Sequence, residues 1–327
     1  MYDLLNRVHA LFHPDQFHGW GRKRRYFEGW YYKVINRQED KAFAFIPGIA
    51  MNDTGQKHTF IQVLDGIQRT SEYHSFPAGD FKPHPGKMDI RIAKNRFTND
   101  FIELDLPGIR GKLRFTGHVP WPVRWYSPGI MGPYAFVPFM ECYHGILSMD
   151  HQISGELVIQ NRTIDFTGGR GYMEKDWGHS FPSAYIWMQT NHFTEQGVSF
   201  KASVARIPWI GSSFTGFIAG LYDGRRLYRF TTYNGTKLEK SLAGKDTVEL
   251  VFRNANFRLE ILASRDHATE LASPVGGLME GRISESMTSE LELSMTDLQN
   301  NRNIFRDKGR NVAMEVAGKI EEIASFD

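Results

Sequence analysis

Glu174, Lys175 and Asp176 stand side by side in "GYMEKDWGHSFPSAYIWMQTNHF", residues 171–193. Tyr172, Trp177, Phe181, Tyr185 and Trp187 surround them in the same stretch. Burial among aromatic side chains raises the pKa of a carboxyl, and a like charge two residues away raises it further. A carboxylic acid kept protonated near neutral pH is a general acid. Ring faces beside it stabilise a cation, by about 2 kcal/mol or more once water is excluded. An acid in such a cage therefore suits protonation of an alkene and shelter of the tertiary carbocation that results. The plainer alternative pairs Glu174 and Asp176 with Lys175 and Arg170 at a surface turn, and spacing alone favours it.

Side-chain alternation decides which of these groups can meet. Residues two apart on a strand share a face, which groups Tyr172, Glu174 and Asp176 and puts Met173, Lys175 and Trp177 opposite. Beyond Pro182, the residues Tyr185, Trp187, Gln189 and Asn191 share a face. Earlier in the chain, "YFEGWYYKV" offers Glu28, Trp30 and Tyr32 on one side and Tyr31 and Lys33 on the other. The expected site is an apolar cleft bordered by Trp30, Tyr32, Tyr172, Trp187 and Gln189, with Glu28, Trp177 and Asn191 also against the ligand. Glu174 is the expected proton donor, with Asp176 and Tyr172 as its partners and Lys175 pointing away.

The elements that must position these residues read as strands. Short alternating runs such as "WYYKVI", "HTFIQVLDG", "FIELDL", "VSFKASVARI" and "FRLEIL" are separated by Gly, Asp, Asn and Pro, the signature of antiparallel sandwiches and barrels. A repeat runs through them. Trp30, the turn Asp65-Gly66 and Phe101 are answered by Trp187, Asp223-Gly224 and Phe257, and "SGELVI" at 154–159 by "SELELS" at 289–294. Self-similarity on this scale predicts two β-modules related by duplication. They are expected over 1–165 and 166–327, with the boundary between 150 and 185. Helix is expected at the two ends. Leu4, Leu5, Val8, Leu11 and Phe12 share a helical face that packs on the body of the protein or lies on a membrane, and "NVAMEVAGKIEEIASF" repeats Val312, Val316, Ile320 and Ile323 at helical spacing.

Composition narrows the function classes. A net charge of +2 on 327 residues argues against a dominant nucleic-acid partner, and Arg22-Lys23-Arg24-Arg25 is the one basic run. The single cysteine, Cys142, excludes an intramolecular disulfide framework and fits a reducing compartment, with the cytoplasm as the default. The N-terminus lacks the order of a signal peptide. Among the 12 histidines no His-x-His or His-Glu-x-x-His spacing occurs, so neither a metal nor another cofactor is expected. Glycines 168, 169 and 171 lack the Gly-Lys-Ser/Thr of a phosphate loop and read as a turn. Cys142 and His144, two apart in "MECYH", are a weaker alternative as a nucleophile and base.

"FEGWYYKV" at 27–34, "MECYHGILSMDHQISGEL" at 140–157, "GYMEKDWGHSFPSAYIWMQTNHF" at 171–193 and "HPDQFHGW" at 13–20 resemble signature blocks of the tocopherol cyclase family. They occur in order across most of the chain. The resemblance implies a pair of lipocalin-like β-domains and cofactor-free cyclisation of a prenylated hydroquinone, by protonation of a side-chain double bond and capture of the cation by the phenol oxygen. The Tyr-x-acid…Trp-Gly pattern is also similar to that of carotenoid hydratases, which add water to isoprenoid alkenes. On it Tyr172 and Glu174 take the positions of the tyrosine and acid, with Glu in place of Asp and Lys175 in place of a His. "HPDQFHGW" is expected to cover the cavity mouth. Two readings remain: an isoprenoid cyclase or hydratase using Glu174 or Asp176, and a lipocalin-like carrier that binds a lipophilic molecule unchanged. Either implies a small lipophilic partner; a peripheral membrane contact and the oligomeric state stay open.

Overall fold

The computed structural model describes residues 2–324. After a helix, α1 (Tyr2–Leu11), the chain is almost entirely antiparallel sheet. The first sheet begins with β1 (Tyr26–Ile35), β2 (Ala42–Met51), β3 (Lys57–Asp65), β4 (Thr70–Pro77), β5 (Phe81–Pro83) and β6 (Asp89–Ile92). It continues with β7 (Asn95–Thr98), β8 (Phe101–Leu106), β9 (Ile109–Thr116), β10 (Cys142–Ile159), β11 (Arg162–Asp165) and β12 (Arg170–Gly178). The second sheet takes β13 (Ala184–Thr190), β14 (Val198–Trp209), β15 (Ser212–Asp223), β16 (Leu227–Thr231) and β17 (Lys237–Ala243). It ends with β18 (Thr247–Arg253), β19 (Phe257–Ser264), β20 (Thr269–Val275), β21 (Leu278–Asp297) and β22 (Arg302–Gly318).

The two sheets follow one path. From β1 the first runs β2-β3-β4 on one side and β12-β10-β9-β8-β7 on the other, and from β13 the second runs β14-β15-β16 and β22-β21-β19-β18-β17. Trp30 and Trp187 thus sit on equivalent strands, Asp65 and Asp223 end equivalent strands, and 154–159 and 289–294 lie on the equivalent β10 and β21. The third pairing read from the sequence is off by one strand. Phe101 opens β8, whereas Phe257 opens β19, whose counterpart is β9. Short alternating strands look alike, so local similarity cannot count ladder positions.

Each sheet closes over its own apolar core. The first core gathers Trp30, Tyr32, Phe45, Phe97, Phe115 and Met173, and the second Ile186, Phe200, Phe230, Phe252, Ile261 and Val312. One compact unit comprises Met1–Phe181 with Leu271–Arg282, the other Pro182–Glu270 with Ile283–Asp327. The break at 181/182 falls within the 150–185 range, later than 165/166, because β12 completes the first sheet by pairing with both β1 and β10. The expected C-terminal helix is also corrected. Val312 and Val316 lie on β22, hydrogen-bonded to β13 and β21, and only Ile320–Glu322 makes a helical turn. A spacing of four satisfies a strand as well as a helix, and a β-branched pair favours the strand.

The first core holds a titratable group with a legible pH consequence. His151 on β10 is 1% exposed, its ring 4.7 Å from that of Phe115 and 5.2 Å from that of His118. A Cβ at Gly171 would collide with the ring. Burial, and secondarily His118, holds His151 well below its ordinary 6.5. Below pH 6.5 the unfolded chain takes up a proton that the folded chain refuses, so this stability is present above that pH and lost as pH falls. In His151→Leu, urea midpoints measured between pH 7.5 and 5.5 should fall less steeply than in wild type, by at most about 1.4 kcal/mol per pH unit. An unchanged slope would show that His151 does not set it. His118 and His18, also held low by burial, keep a residual slope.

Candidate active site

β12 carries the site because both of its faces are built and both are polar. Cross-strand pairing sets Glu174 opposite Tyr31 on β1 and Ile146 on β10, and Asp176 opposite Gly29 and His144. Direct partners in an antiparallel ladder share a face. One face of β12 therefore presents Tyr172, Glu174 and Asp176 beside Tyr31, Lys33 and His144, and the other presents Met173, Lys175 and Trp177 beside Glu28, Trp30 and Tyr32.

On the first face four side chains line up as two hydrogen-bonded pairs, Tyr172–Glu174 and His144–Asp176, brought together by a 3.4 Å approach that is not itself a hydrogen bond. The Tyr172 hydroxyl donates to Glu174 Oε2 at 2.5 Å. His144 Nε2 lies 3.4 Å from the same oxygen, and Nδ1 lies 2.7 Å from Asp176 Oδ1. A carboxylate only accepts, so the Nδ1 proton points at Asp176 and leaves Nε2 toward Glu174 to give or take a proton. Tyr172 is fully buried and Glu174 4% exposed, whereas the side chains of His144 and Asp176 are 12% and 24% exposed. The group thus runs from a wetter end at Asp176 to a dry end at Glu174. Burial, then Glu174, pushes the Tyr172 phenol well above its ordinary range, so it stays a donor. Lys175 does emerge on the opposite face.

Cys142 shares the face but not the role proposed for a nucleophile. Its thiol is 3.8 Å from Asp176 Oδ1, and burial, then Asp176, raises it well above the ordinary thiol range. It remains a protonated thiol turned to the acid rather than to His144.

The opposite face is structural. Lys175 Nζ lies 2.6 Å from Glu28 Oε1, both side chains fully buried, and also contacts Gln16 O and, at 2.6 Å, His18 Nδ1. Glu28 accepts from the backbone N–H of His18 at 2.9 and 3.0 Å, of Gly19 at 3.1 Å, and from Tyr26 OH at 2.5 Å. His18 stacks on Trp177 at 4.1 Å. This knot ties the "HPDQFHGW" segment to the sheet. Glu28 is thereby corrected from ligand contact to internal ion pair.

Trp30 and Tyr32 are likewise corrected from cleft walls to core. Trp30 Nε1 donates to Asp15 O at 2.9 Å and Tyr32 OH to Thr98 O at 3.1 Å, both inside the first core and on the face away from Tyr172. Trp187, Gln189 and Asn191 belong to the second unit. There Tyr185, Trp187 and Gln189 alternate with the core residues Ile186 and Met188, and Trp187 and Gln189 pair across the ladder with Ser203 and Lys201. Trp187 and Gln189, expected in one cleft with Trp30, Tyr32 and Tyr172, thus belong to a different unit from those three. His144 is the residue that the sequence undervalues. Its spacing from Cys142 was visible, but its partner Asp176 lies 32 positions away and appears only through strand pairing.

Residues 118–318 match the tocopherol cyclase-like family, a span that includes His144, Tyr172, Glu174 and Asp176. The chain belongs to that family. It is 24% identical to the probable tocopherol cyclase, chloroplastic, of Oryza sativa subsp. japonica over 96% of this chain and 79% of that one. Among solved structures, a protein assigned as AttH from Nitrosomonas europaea aligns with a TM-score of 0.55 at 14% identity, over 89% of this chain and 92% of that one. CghA aligns with a TM-score of 0.54 at 12% identity over 90% and 89%, and its complex with Sch210972 at 0.53 and 13% over 90% and 88%. These structural likenesses establish the fold, two lipocalin-type β-modules. Among the described residues no helix is long and apolar enough to cross a membrane.

Proposed function

We propose that the protein is an acid catalyst acting on an isoprenoid alkene, and that a prenylated hydroquinone which closes to a chromanol is its substrate class. The observation that carries this reading is the Tyr172–Glu174–His144–Asp176 group, a buried carboxyl bonded by a tyrosine and 3.4 Å from an imidazole that is itself bonded to the wetter Asp176. Family membership supports it. Glu174 gives its proton to the less substituted alkene carbon, leaving a tertiary cation that the phenol oxygen captures. The phenol proton then returns to the Glu174 carboxylate, directly or through His144. One C–H and one C–O bond form, one O–H bond and one C–C π bond are lost, and nothing is oxidised or reduced. Tyr172 holds the Glu174 carboxylate in place and spreads its charge once the proton has left. If water captures the cation instead, the same residues make a hydratase.

The test uses the purified protein with a prenylated hydroquinone and, separately, an acyclic isoprenoid alkene, in D2O. One solvent deuterium at the methylene next to the new C–O carbon is the expected result. A cyclised product without it overturns alkene protonation, and ligand recovered unchanged from active-site-saturating incubations favours the carrier.

The same face bears on metals. His144, Glu174 and Asp176 offer ligand atoms all within 4.8 Å of one another, a set that suits a divalent ion. Under the acid reading, EDTA leaves turnover unchanged and added Zn2+ inhibits, because the ion ties up the groups that carry the proton. Activity lost to EDTA and restored by Zn2+ would replace the acid reading with metal catalysis.

A further inference from the structure

One face of the first unit is apolar in an unusual way. On α1, Leu4, Leu5 and Val8 are 63%, 64% and 56% exposed, so of the two expectations for this stripe the packed one is not met. The helix instead buries Ala10, on its other side. In the segment 121–140, Val123, Trp125, Tyr126 and Phe136 are exposed, Trp125 by 80%. The two segments adjoin. Phe12 and Phe136 pack edge to face at 6.2 Å, and Val8 and Leu11 face Phe136 and Pro138 across a cleft of about 580 Å³. Arg7, Arg22 and Arg25 line that same cleft.

Charge selects the occupant. Residues 2–25 and 121–140 carry six basic side chains (Arg7, Arg22, Lys23, Arg24, Arg25, Arg124) against two acidic ones, Asp3 and Asp15. The chain as a whole carries 39 basic and 37 acidic residues, so this excess is local. All four residues of the run 22–25 are exposed, and Arg124 is spent on the Tyr126 hydroxyl at 2.7 Å. An aromatic and aliphatic rim beside exposed arginines is complementary to a bilayer surface, whose phosphates meet the cations while amphipathic rings settle among the headgroups. We propose that this face docks on a membrane containing anionic phospholipid. Leu4, Leu5, Val8 and Trp125 enter the headgroup layer, and the run 22–25 lies against the phosphates. Neither contribution alone gives stable anchoring; the two together do.

The test is co-sedimentation of the full chain with vesicles of phosphatidylcholine alone and of phosphatidylcholine with phosphatidylglycerol. Wild type should bind the anionic vesicles, and salt well above 0.1 M, where the Debye length falls below about 10 Å, should release it. Arg22→Gln with Arg24→Gln should weaken anionic binding by about fivefold per charge removed. Leu5→Ser with Trp125→Ser should weaken it by about tenfold. All four residues are exposed, so the thermal midpoint should not move. Binding that ignores both pairs of substitutions overturns the proposal. So does equal binding to neutral vesicles, saturation of the arginines by inorganic phosphate without vesicles, or self-association in light scattering that the Leu5/Trp125 pair abolishes. A catalytically silent protein that still docks would sink the proposed reaction and leave this inference standing.

Discussion

In Glu174→Gln, turnover of a prenylated hydroquinone should fall by roughly 10²–10⁴-fold while the affinity for substrate barely changes. The amide keeps the shape of the carboxyl and still accepts from the Tyr172 hydroxyl, but it has no acidic proton to give. The defect should therefore appear in kcat with little change in KM, the pattern of a group whose work is done in the transition state. Asp176→Asn should be milder, because Asp176 reaches the reacting atoms only through His144, at 2.7 Å from Nδ1. An amide can present either its oxygen or its NH2 to the ring, so the tautomer is no longer fixed and the pH–rate profile should shift as kcat drops. His144→Phe should cost more than Asp176→Asn, since it removes the imidazole that lies between Asp176 and Glu174. Full activity in Glu174→Gln would remove Glu174 as the donor. Full loss in Asp176→Asn with an active Glu174→Gln would transfer that role to Asp176.

Alternation put Tyr172, Glu174 and Asp176 on one face and Lys175 and Trp177 on the other, and the structure has them so, because the period-2 rule is local and needs no partner strand. The duplication was legible at Trp30 and Trp187 for the same reason. What alternation cannot give is which face of one strand meets which face of another. Glu28, Trp30 and Tyr32 look like ideal ligand contacts until the register sets them against Trp177, Lys175 and Met173, where they build the core. His144 escaped for a related reason. It joins the site through a bulged ladder, with register shifts after Ile146 and Ser148 that no spacing rule anticipates. The hydratase-like pattern expects a histidine where Lys175 stands; here β10 brings one to the acid from another strand. The N-terminal stripe Leu4, Leu5, Val8 is amphipathic as its spacing predicts and lies exposed, since a helical face records only that it seeks an apolar environment and not whether protein or membrane supplies it.

The second large effect belongs to the other face of β12. Lys175→Met should destabilise the first unit by about 3–5 kcal/mol, because it strands the Glu28 carboxylate where no water reaches it. Glu28 Oε1 and Gln16 O accept two of the ammonium protons, and His18 Nδ1, which also lies 2.9 Å from Gln16 O, takes the third in the tautomer protonated at Nε2. That count requires a neutral His18, and burial, then Lys175, does hold His18 below its ordinary range. Burial acts on both ions. It would raise Glu28, but Lys175 and the bonds from His18 outweigh it and the carboxyl ends below its usual 4.5. On Lys175 burial wins, and the ammonium sits below its usual 10.5 despite Glu28. A depressed carboxyl contributes stability that is present above pH 4.5 and lost as pH falls through its folded value. Wild type should therefore lose stability in that acid window, and Lys175→Met/Glu28→Gln should lose less of it. The double variant should also be less destabilised at pH 7 than the sum of the single variants, by about 2 kcal/mol or more, since no charge is then left alone. Urea unfolding followed by Trp fluorescence reports the first unit through Trp30 and Trp177, which lie 4.9 and 4.5 Å from the ammonium. Strict additivity, or a Lys175→Met variant within about 1 kcal/mol of wild type, would mean that the knot is not what holds residues 13–20 to the sheet.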